Sequence, residues 1–295
     1  WDIKVSPNLP NPDCYLPNNG GYHDDSIDIQ IDITYWTQDL QQVDAPGEGT
    51  TTVMSARVKL TDVSQFRTGF ANKYPSKQAR HVNDMTKRFN AVMGIDGDYC
   101  LYHEQGIVVR NGRTLRMRPH KGRDELIVDE NGDFHLITCT TQAKWDEYIA
   151  GGGTVLHAFC FGPALVVDGV PLTSLDDVTI DNGKAKKAQR MVIGQIGKLE
   201  YLILTNEGPE STAPKSVGFD LVQMANLCVQ FGLDNAYNLD GGSSSTIALN
   251  NQKINSPSSH KNRMVGDCIW FATLVKEETW REKESVQTVE VEENK

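Results

Sequence analysis

The residues Asp240-Gly241-Gly242-Ser243-Ser244-Ser245-Thr246, inside AYNLDGGSSSTIALN, concentrate chemistry on one spot. One carboxylate is followed by two glycines and four hydroxyls. Glycines let backbone N–H groups approach an anion closely, and hydroxyls add donors. A carboxylate at the rim serves as base, nucleophile or acceptor for a sugar hydroxyl. Such a cup, built from Gly241, Gly242, Ser243, Ser244 and Thr246, suits a phosphorylated sugar or an oxyanion. Ser245 is expected to point into the fold if the segment is extended, because alternate side chains oppose. The competing reading is a tight turn in which glycines supply positive φ and hydroxyls satisfy local backbone groups. The pattern GxxxxGK[ST] has no match, the glycines precede a strand rather than a helix, and GxSxG is absent. These absences exclude a P-loop, a dinucleotide fingerprint and a nucleophile elbow.

A second group is acidic. Asp96-Gly97-Asp98 closes the apolar run AVMGIDGDYC, and Glu207 stands near the end of the strand-like LEYLILTNEG. Such carboxylates divide acid and base labour, or bind a divalent cation, calcium or magnesium, through oxygen ligands. Turn chemistry accounts equally well for Asp96-Gly97-Asp98. Arg263 is placed to complete a site beside Ser256 and Ser258, or else lies in a solvated loop. His157 reads as a satisfied strand residue. The other histidines lack HxxxH spacing, so no zinc site is expected.

The elements that must hold these residues are mostly strands. IDIQIDITYW and TTVMSARVKL alternate apolar and polar residues. Asn111-Gly112, Asn131-Gly132 and Asp168-Gly169 mark hairpins, Asn250-Asn251 another turn, and Gly197 joins two strands. Two helices stand out. One carries Val82, Met85 and Phe89 at helical spacing, with Ser76 as its N-cap. The other carries Leu221, Met224, Ala225, Cys228 and Val229, with Ser216 as cap and Gly232 as stop. Many hairpins, two principal helices and no βαβ alternation predict an α+β fold of mixed, mostly antiparallel sheets. The expected organisation is an N-terminal arm with an edge strand over 1–50, one domain over 51–275, and a charged tail over 276–295.

The 295 residues carry a net charge of −10, which disfavours nucleic acid as partner, since a phosphate backbone needs a basic field. No run of about 18 apolar residues occurs, so no membrane span is expected. The chain starts at Trp1 rather than Met, as expected of a processed segment whose targeting sequence has been removed. Six cysteines occur without a CxxC pair, which disfavours a zinc ribbon. Cys228, on the apolar side of a helix, is expected to be a buried free thiol.

NAYNLDGGSSSTIALNNQKINSPS followed by RMVGDCIWF closely resembles the signature of the phosphodiester glycosidase family. RFNAVMGIDGDY, FCFGPALVVDG and QRMVIGQIGKLEYLIL resemble further family segments in the same order, over roughly residues 50 to 275. Two departures stand out. The family's Asn-Gly-Gly-Phe is here Asp96-Gly97-Asp98-Tyr99, and its Asp-Gly-Arg is here Asn206-Glu207-Gly208. The resemblance implies hydrolysis of a sugar-phosphate diester at the anomeric carbon, with N-acetylglucosamine as the known sugar. Phosphate leaves readily, so holding its charge matters more than acid assistance. Asp240 would then act as base, nucleophile or sugar ligand, with Asp96 and Glu207 beside it. Arg190 would clamp phosphate through its bidentate donors. Asn238 would brace the turn or bind a hydroxyl, and Asp98, Asn206 and Arg263 would line the substrate. The resemblance implies a carbohydrate substrate, no required cofactor and an extracytoplasmic, bacterial setting. Two alternatives stay open: a non-catalytic glycan-binding module and a metal-dependent phosphodiesterase using the acidic cluster.

Overall fold

The computed structural model describes residues 5–176, 186–209, 215–256 and 262–281. The segment expected to be an arm belongs to the main sheet. It forms β1 (Tyr15–Leu16), β2 (Gly21–His23), β3 (Ile27–Trp36) and β4 (Gln42–Val43). β5 (Thr51–Leu60) pairs with β3 along its full length, from Ile27↔Leu60 to Trp36↔Thr51. β2 and β4 pair with the other side of β3, so β3 is an interior strand and not an edge. Its alternating pattern fits either position, because alternation reports one buried face and not the number of neighbours.

β6 (Phe66–Phe70), α1 (Val82–Phe89) and β7 (Met93–Asp96) follow. Val82, Met85 and Phe89 are buried as their spacing predicts, and the Phe89 ring stacks on Trp270 at 5.3 Å. The helix starts later than its expected cap. His81 is the N-cap residue, and the Ser76 hydroxyl instead accepts from the Gln78 amide at 3.3 Å.

β8 (Gly106–Arg110), β9 (Arg113–Arg118), β10 (Glu125–Val128) and β11 (Phe134–Ile137) are hairpin partners, joined at the two expected Asn-Gly turns. α2 (Gln142–Ala150) has no counterpart in the sequence reading. Only Trp145 of this helix is buried, which leaves no apolar stripe to recognise. β12 (His157–Phe159), β13 (Ala164–Val167) and β14 (Val170–Pro171) come next.

β15 (Arg190–Gly197) and β16 (Glu200–Asn206) form the predicted pair, and α3 (Leu221–Gln230) follows. Asp220, rather than Ser216, caps α3 in a capping box with Gln223. The Ser216 hydroxyl accepts from the Thr52 amide at 3.0 Å. Leu221, Met224, Ala225 and Cys228 are buried, but Val229 faces outward at 39% exposure. Cys228 is a buried free thiol, and none of the six cysteines is paired. β17 (Asn235–Asn238), β18 (Ile247–Leu249), β19 (Gln252–Lys253) and β20 (Asp267–Phe271) complete the chain.

The pairings build three sheets, in the orders β1-β2-β3-β5-β16-β15-β17-β13-β14, β11-β10-β12-β8-β9 and β19-β18-β7-β20-β6. All pairings among the described strands are antiparallel. The fold is therefore α+β and mostly sheet. Residues of all three sheets share one core, with Ile95, Leu126, Phe159, Ile193, Tyr237 and Ile269 among its members. None of the described helices is long and apolar enough to cross a membrane.

Candidate active site

Strand ends from the three sheets converge on Asp96-Gly97-Asp98. β7 stops at Asp96, which lies opposite Cys268 of β20, while Ile95 lies opposite Ile247 of β18. β17 runs out of the large sheet just before Asp240, whose amide donates to the Gly97 carbonyl at 3.1 Å. From the third sheet come Arg110, at the end of β8, and Cys160, just after β12. The turn is tight: a Cβ on Gly97 would lie 2.5 Å from the Asp267 carboxyl carbon.

Four buried aspartates meet here: Asp96, Asp98, Asp240 and Asp267. Asp96 Oδ1 accepts from the Thr246 amide at 2.8 Å. No donor among the described residues reaches its Oδ2. Burial, then the neighbouring Asp240 charge, push the Asp96 carboxyl far above the usual carboxylate range. Burial also raises Asp240, to about 6, against the pull of the Ser244 hydroxyl, Arg263 and the Gly241 amide. The two environments drive the pair apart, so Asp240 is the member that ionises first and Asp96 the one that keeps its proton to higher pH.

Asp98 is handled differently. Burial opposes its charge, but the Arg110 guanidinium and the amides of Cys160 and Cys100 hold it ionised. Those amides donate at 3.0 and 2.9 Å, and Arg110 Nη2 lies 3.2 Å from Asp98 Oδ2. Asp267 is pushed up by burial and by the charge on Asp98. Arg110, Asp267 and the buried Glu125, whose carboxyl burial also raises, are absent from the sequence reading. Asp267 sits inside the quoted RMVGDCIWF, yet nothing local distinguishes it from a strand-start aspartate.

The glycine-serine stretch forms a 3-10 turn over Gly242–Ser244. Most of its backbone donors serve the protein itself. The Gly241 amide bonds Asp240 Oδ1 at 2.9 Å, Gly242 bonds the Gln189 carbonyl at 3.0 Å, and Thr246 bonds Asp96. The Ser244 and Ser245 amides close the turn onto Gly241 and Gly242, each at 3.2 Å. The hydroxyls of Ser244, Ser245 and Thr246 are buried without a well-formed hydrogen bond among the described residues. The Ser244 hydroxyl lies near enough to Asp240 to lower it, without reaching good bonding geometry. Ser245 is fully buried, as expected for a side chain turned inward. Ser243 is partly exposed. The turn therefore presents unsatisfied hydroxyls beside the carboxyl pair.

The remaining candidates divide. Arg263 is exposed, stands over the Tyr99 ring at 5.7 Å, and its charge reaches Asp240. Asn238 Nδ2 donates to the Gly162 carbonyl at 2.8 Å, bracing the turn, while its Oδ1 is buried without a partner among the described residues. Arg190 is buried, and its guanidinium donates to the carbonyls of Phe219 at 3.2 Å and Lys186 at 2.5 Å. Asn206 donates to the carbonyls of Ala188 and Glu207, both at 2.8 Å. Glu207 Oε1 accepts from the Ser256 amide at 2.8 Å, and burial raises this carboxyl to about 7. Lys253 is the cation beside it. Thus Asp96, Asp98, Asp240 and Arg263 come together, while Arg190, Asn206 and Glu207 bond neighbouring backbone groups, with Asp220 acting on Arg190 and Lys253 on Glu207. Ser258 lies outside the described residues. His157 is fully buried, and its Nδ1 faces the Asn111 amide and the Thr68 hydroxyl, both at 3.3 Å. It is a structural strand residue.

Among the described residues, the ligand-type atoms close enough to share one ion are those of Asp98, Cys100 and Asp267, which lie within 4.8 Å of one another. Asp96 and Glu207 are not in this set. The Arg110 guanidinium, 3.0 Å from Asp267 Oδ2, bonds within it.

The comparisons agree with this architecture. Residues 89–272 match the family model for phosphodiester glycosidase. The fold is similar to the zebrafish N-acetylglucosamine-1-phosphodiester alpha-N-acetylglucosaminidase catalytic domain, auto-inhibited by its pro-peptide. The TM-score is 0.65 at 15% identity, over 86% of each chain. It is also similar to a hypothetical protein from Synechocystis, with TM-score 0.55 and 13% identity, covering 83% of this chain and 62% of that one. A Burkholderia pseudomallei protein described as exported gives TM-score 0.53 and 15% identity, over 78% of this chain and 75% of that one. At these identities the structural likeness shows the fold alone. No curated protein sequence matches the chain. The family match covers the strand ends that carry Asp96, Asp98, Asp240 and Asp267, and the chain belongs to the phosphodiester glycosidase family.

Proposed function

We propose that the protein is an extracytoplasmic hydrolase that cleaves a sugar-phosphate diester between the anomeric carbon and the phosphate oxygen. The observation that carries this reading is the Asp96–Asp240 pair. One buried carboxyl is raised to about 6 and the other is pushed well above the usual carboxylate range, beside unpartnered hydroxyls. Ionised Asp240 acts at the sugar as base or nucleophile. In the direct form it takes a proton from water as the water oxygen bonds to the anomeric carbon. The C–O bond breaks, and the phosphate leaves with the electron pair and needs no proton. Asp96 donates a hydrogen bond to the reacting group or the sugar. The hydroxyls of Ser244 and Thr246, with the exposed Arg263, meet the phosphate oxygens. Asn238 braces the turn, and Arg190 contributes by fixing the backbone around Phe219. This chemistry needs no cofactor. An N-acetylglucosamine substrate takes its support from the zebrafish protein's name, and an extracytoplasmic setting from the exported relative.

Hydrolysis of UDP-GlcNAc and of a GlcNAc-1-phosphate methyl diester in ¹⁸O water tests the reading. Label in the released sugar is expected. Label in the phosphate overturns it, because cleavage has then occurred at phosphorus. Glycan binding measured by calorimetry, with no turnover of a wider glycan panel, assigns the scaffold to binding instead.

A further inference from the structure

We propose that Asp98 and Asp267 form a cation site that the chain fills itself, with the Arg110 guanidinium in the position of a bound metal ion. Arg110 is 1% exposed, at the end of β8. Its Nη2 lies 3.2 Å from Asp98 Oδ2 and 3.0 Å from Asp267 Oδ2, and 3.9 Å from Cys100 Sγ. These are the same three side chains whose ligand-type atoms fall within one ion's reach. Nη1 is anchored separately, on the carbonyls of Val109 at 3.1 Å and Ala158 at 2.5 Å. The guanidinium carbon sits 4.4 Å from the Phe159 ring centre and 5.7 Å from that of Phe70. Two carboxyls, two carbonyls and two ring faces therefore surround one planar cation, the environment a guanidinium prefers and a hydrated ion does not.

The donor chemistry agrees. Within the set, Cys100 Sγ already faces the guanidinium, 3.9 Å from Nη2, and the remaining donors are the carboxyl oxygens of Asp98 and Asp267. These oxygens would suit a hard ion such as Ca²⁺ or Mn²⁺, and that place is taken by a side chain that cannot dissociate. The inference concerns the site of the proposed hydrolase. It is read by metal binding rather than turnover, so its failure and that of the functional reading are told apart.

The test is the melting temperature and titration calorimetry of EDTA-stripped full-length protein with Mn²⁺ and with Ca²⁺. Wild type is expected to show no shift and no heat. Arg110→Gln, which keeps an amide donor for the Ala158 carbonyl, is expected to gain an ion-dependent rise in melting temperature. Adding Asp267→Asn to that variant is expected to abolish the rise. Wild-type binding that disappears in Asp267→Asn overturns the proposal, as does a folded Arg110→Gln that gains no binding. Should Arg110→Gln not fold, Arg110→Lys is titrated instead. That variant retains a cation, so absence of binding supports the proposal and binding overturns it.

Discussion

The amide of Asp240 donates to the carbonyl of Gly97 at 3.1 Å, which links the end of β17 to the turn after β7. Gly97 has no room to move toward β20, because an added Cβ would meet the Asp267 carboxyl at 2.5 Å. The position of the candidate catalytic backbone is therefore set by a close approach in another sheet.

Gly97→Ala is expected to destabilise the protein by about 1–3 kcal/mol through overpacking and to lower turnover by displacing Asp240. Thermal melts and kcat measured on the same preparation check this. A variant that melts and turns over like wild type would remove Gly97 from the argument.

Asp240→Asn is expected to cut kcat on the order of 10²-fold or more while the protein still unfolds cooperatively. In wild type, the rate should rise with pH as Asp240 ionises, with a midpoint near 6. It should fall again at higher pH as the raised Asp96 loses its proton. In Asp96→Asn the alkaline limb should disappear and the acidic limb should persist. A pH–rate profile that is flat between pH 5 and 8 in wild type would contradict the assignment.

Glu207 offers a stability test. Burial raises its carboxyl from the ordinary 4.5 to about 7 in the fold, so the folded state holds the proton more tightly. The stabilisation is present below the unfolded value and is lost as pH rises through 7. Glu207→Gln removes that loss and keeps an acceptor for the Ser256 amide. It should be more stable than wild type at pH 8 by about 1–3 kcal/mol, and no more stable at pH 4. Denaturant melts at both pH values decide it. An equal effect at both would show that burial does not drive this carboxyl's titration.

The two arginines should separate. Arg263→Ala is expected to raise KM and to move the acidic limb upward, since its charge lowers Asp240. Because Arg263 is exposed, added salt should mask part of the difference. Arg190→Ala should lower the melting temperature, because the Phe219 and Lys186 carbonyls lose their donor. Melting curves beside kcat and KM at two salt concentrations test both. A stable Arg190→Ala with a much higher KM would restore it as the phosphate clamp.

Local backbone demands were legible in the sequence by themselves. Asn111-Gly112, Asp168-Gly169 and Asn250-Asn251 all take positive φ, a preference that belongs to those residue types wherever they sit. The buried faces of α1 and α3 followed from periodicity, with Val229 an exception at the edge of its stripe. The four-hydroxyl run pointed to the candidate site, and Asp240 stands just before its two glycines. What the tertiary structure alone decided is pairing across distance. Arg110 meets Asp98 and Asp267, the large sheet takes in β3 as an interior strand, and Asp96 faces Asp240. A residue's φ preference is carried by its own side chain, whereas its charge state and ion partner depend on what the folded chain buries beside it.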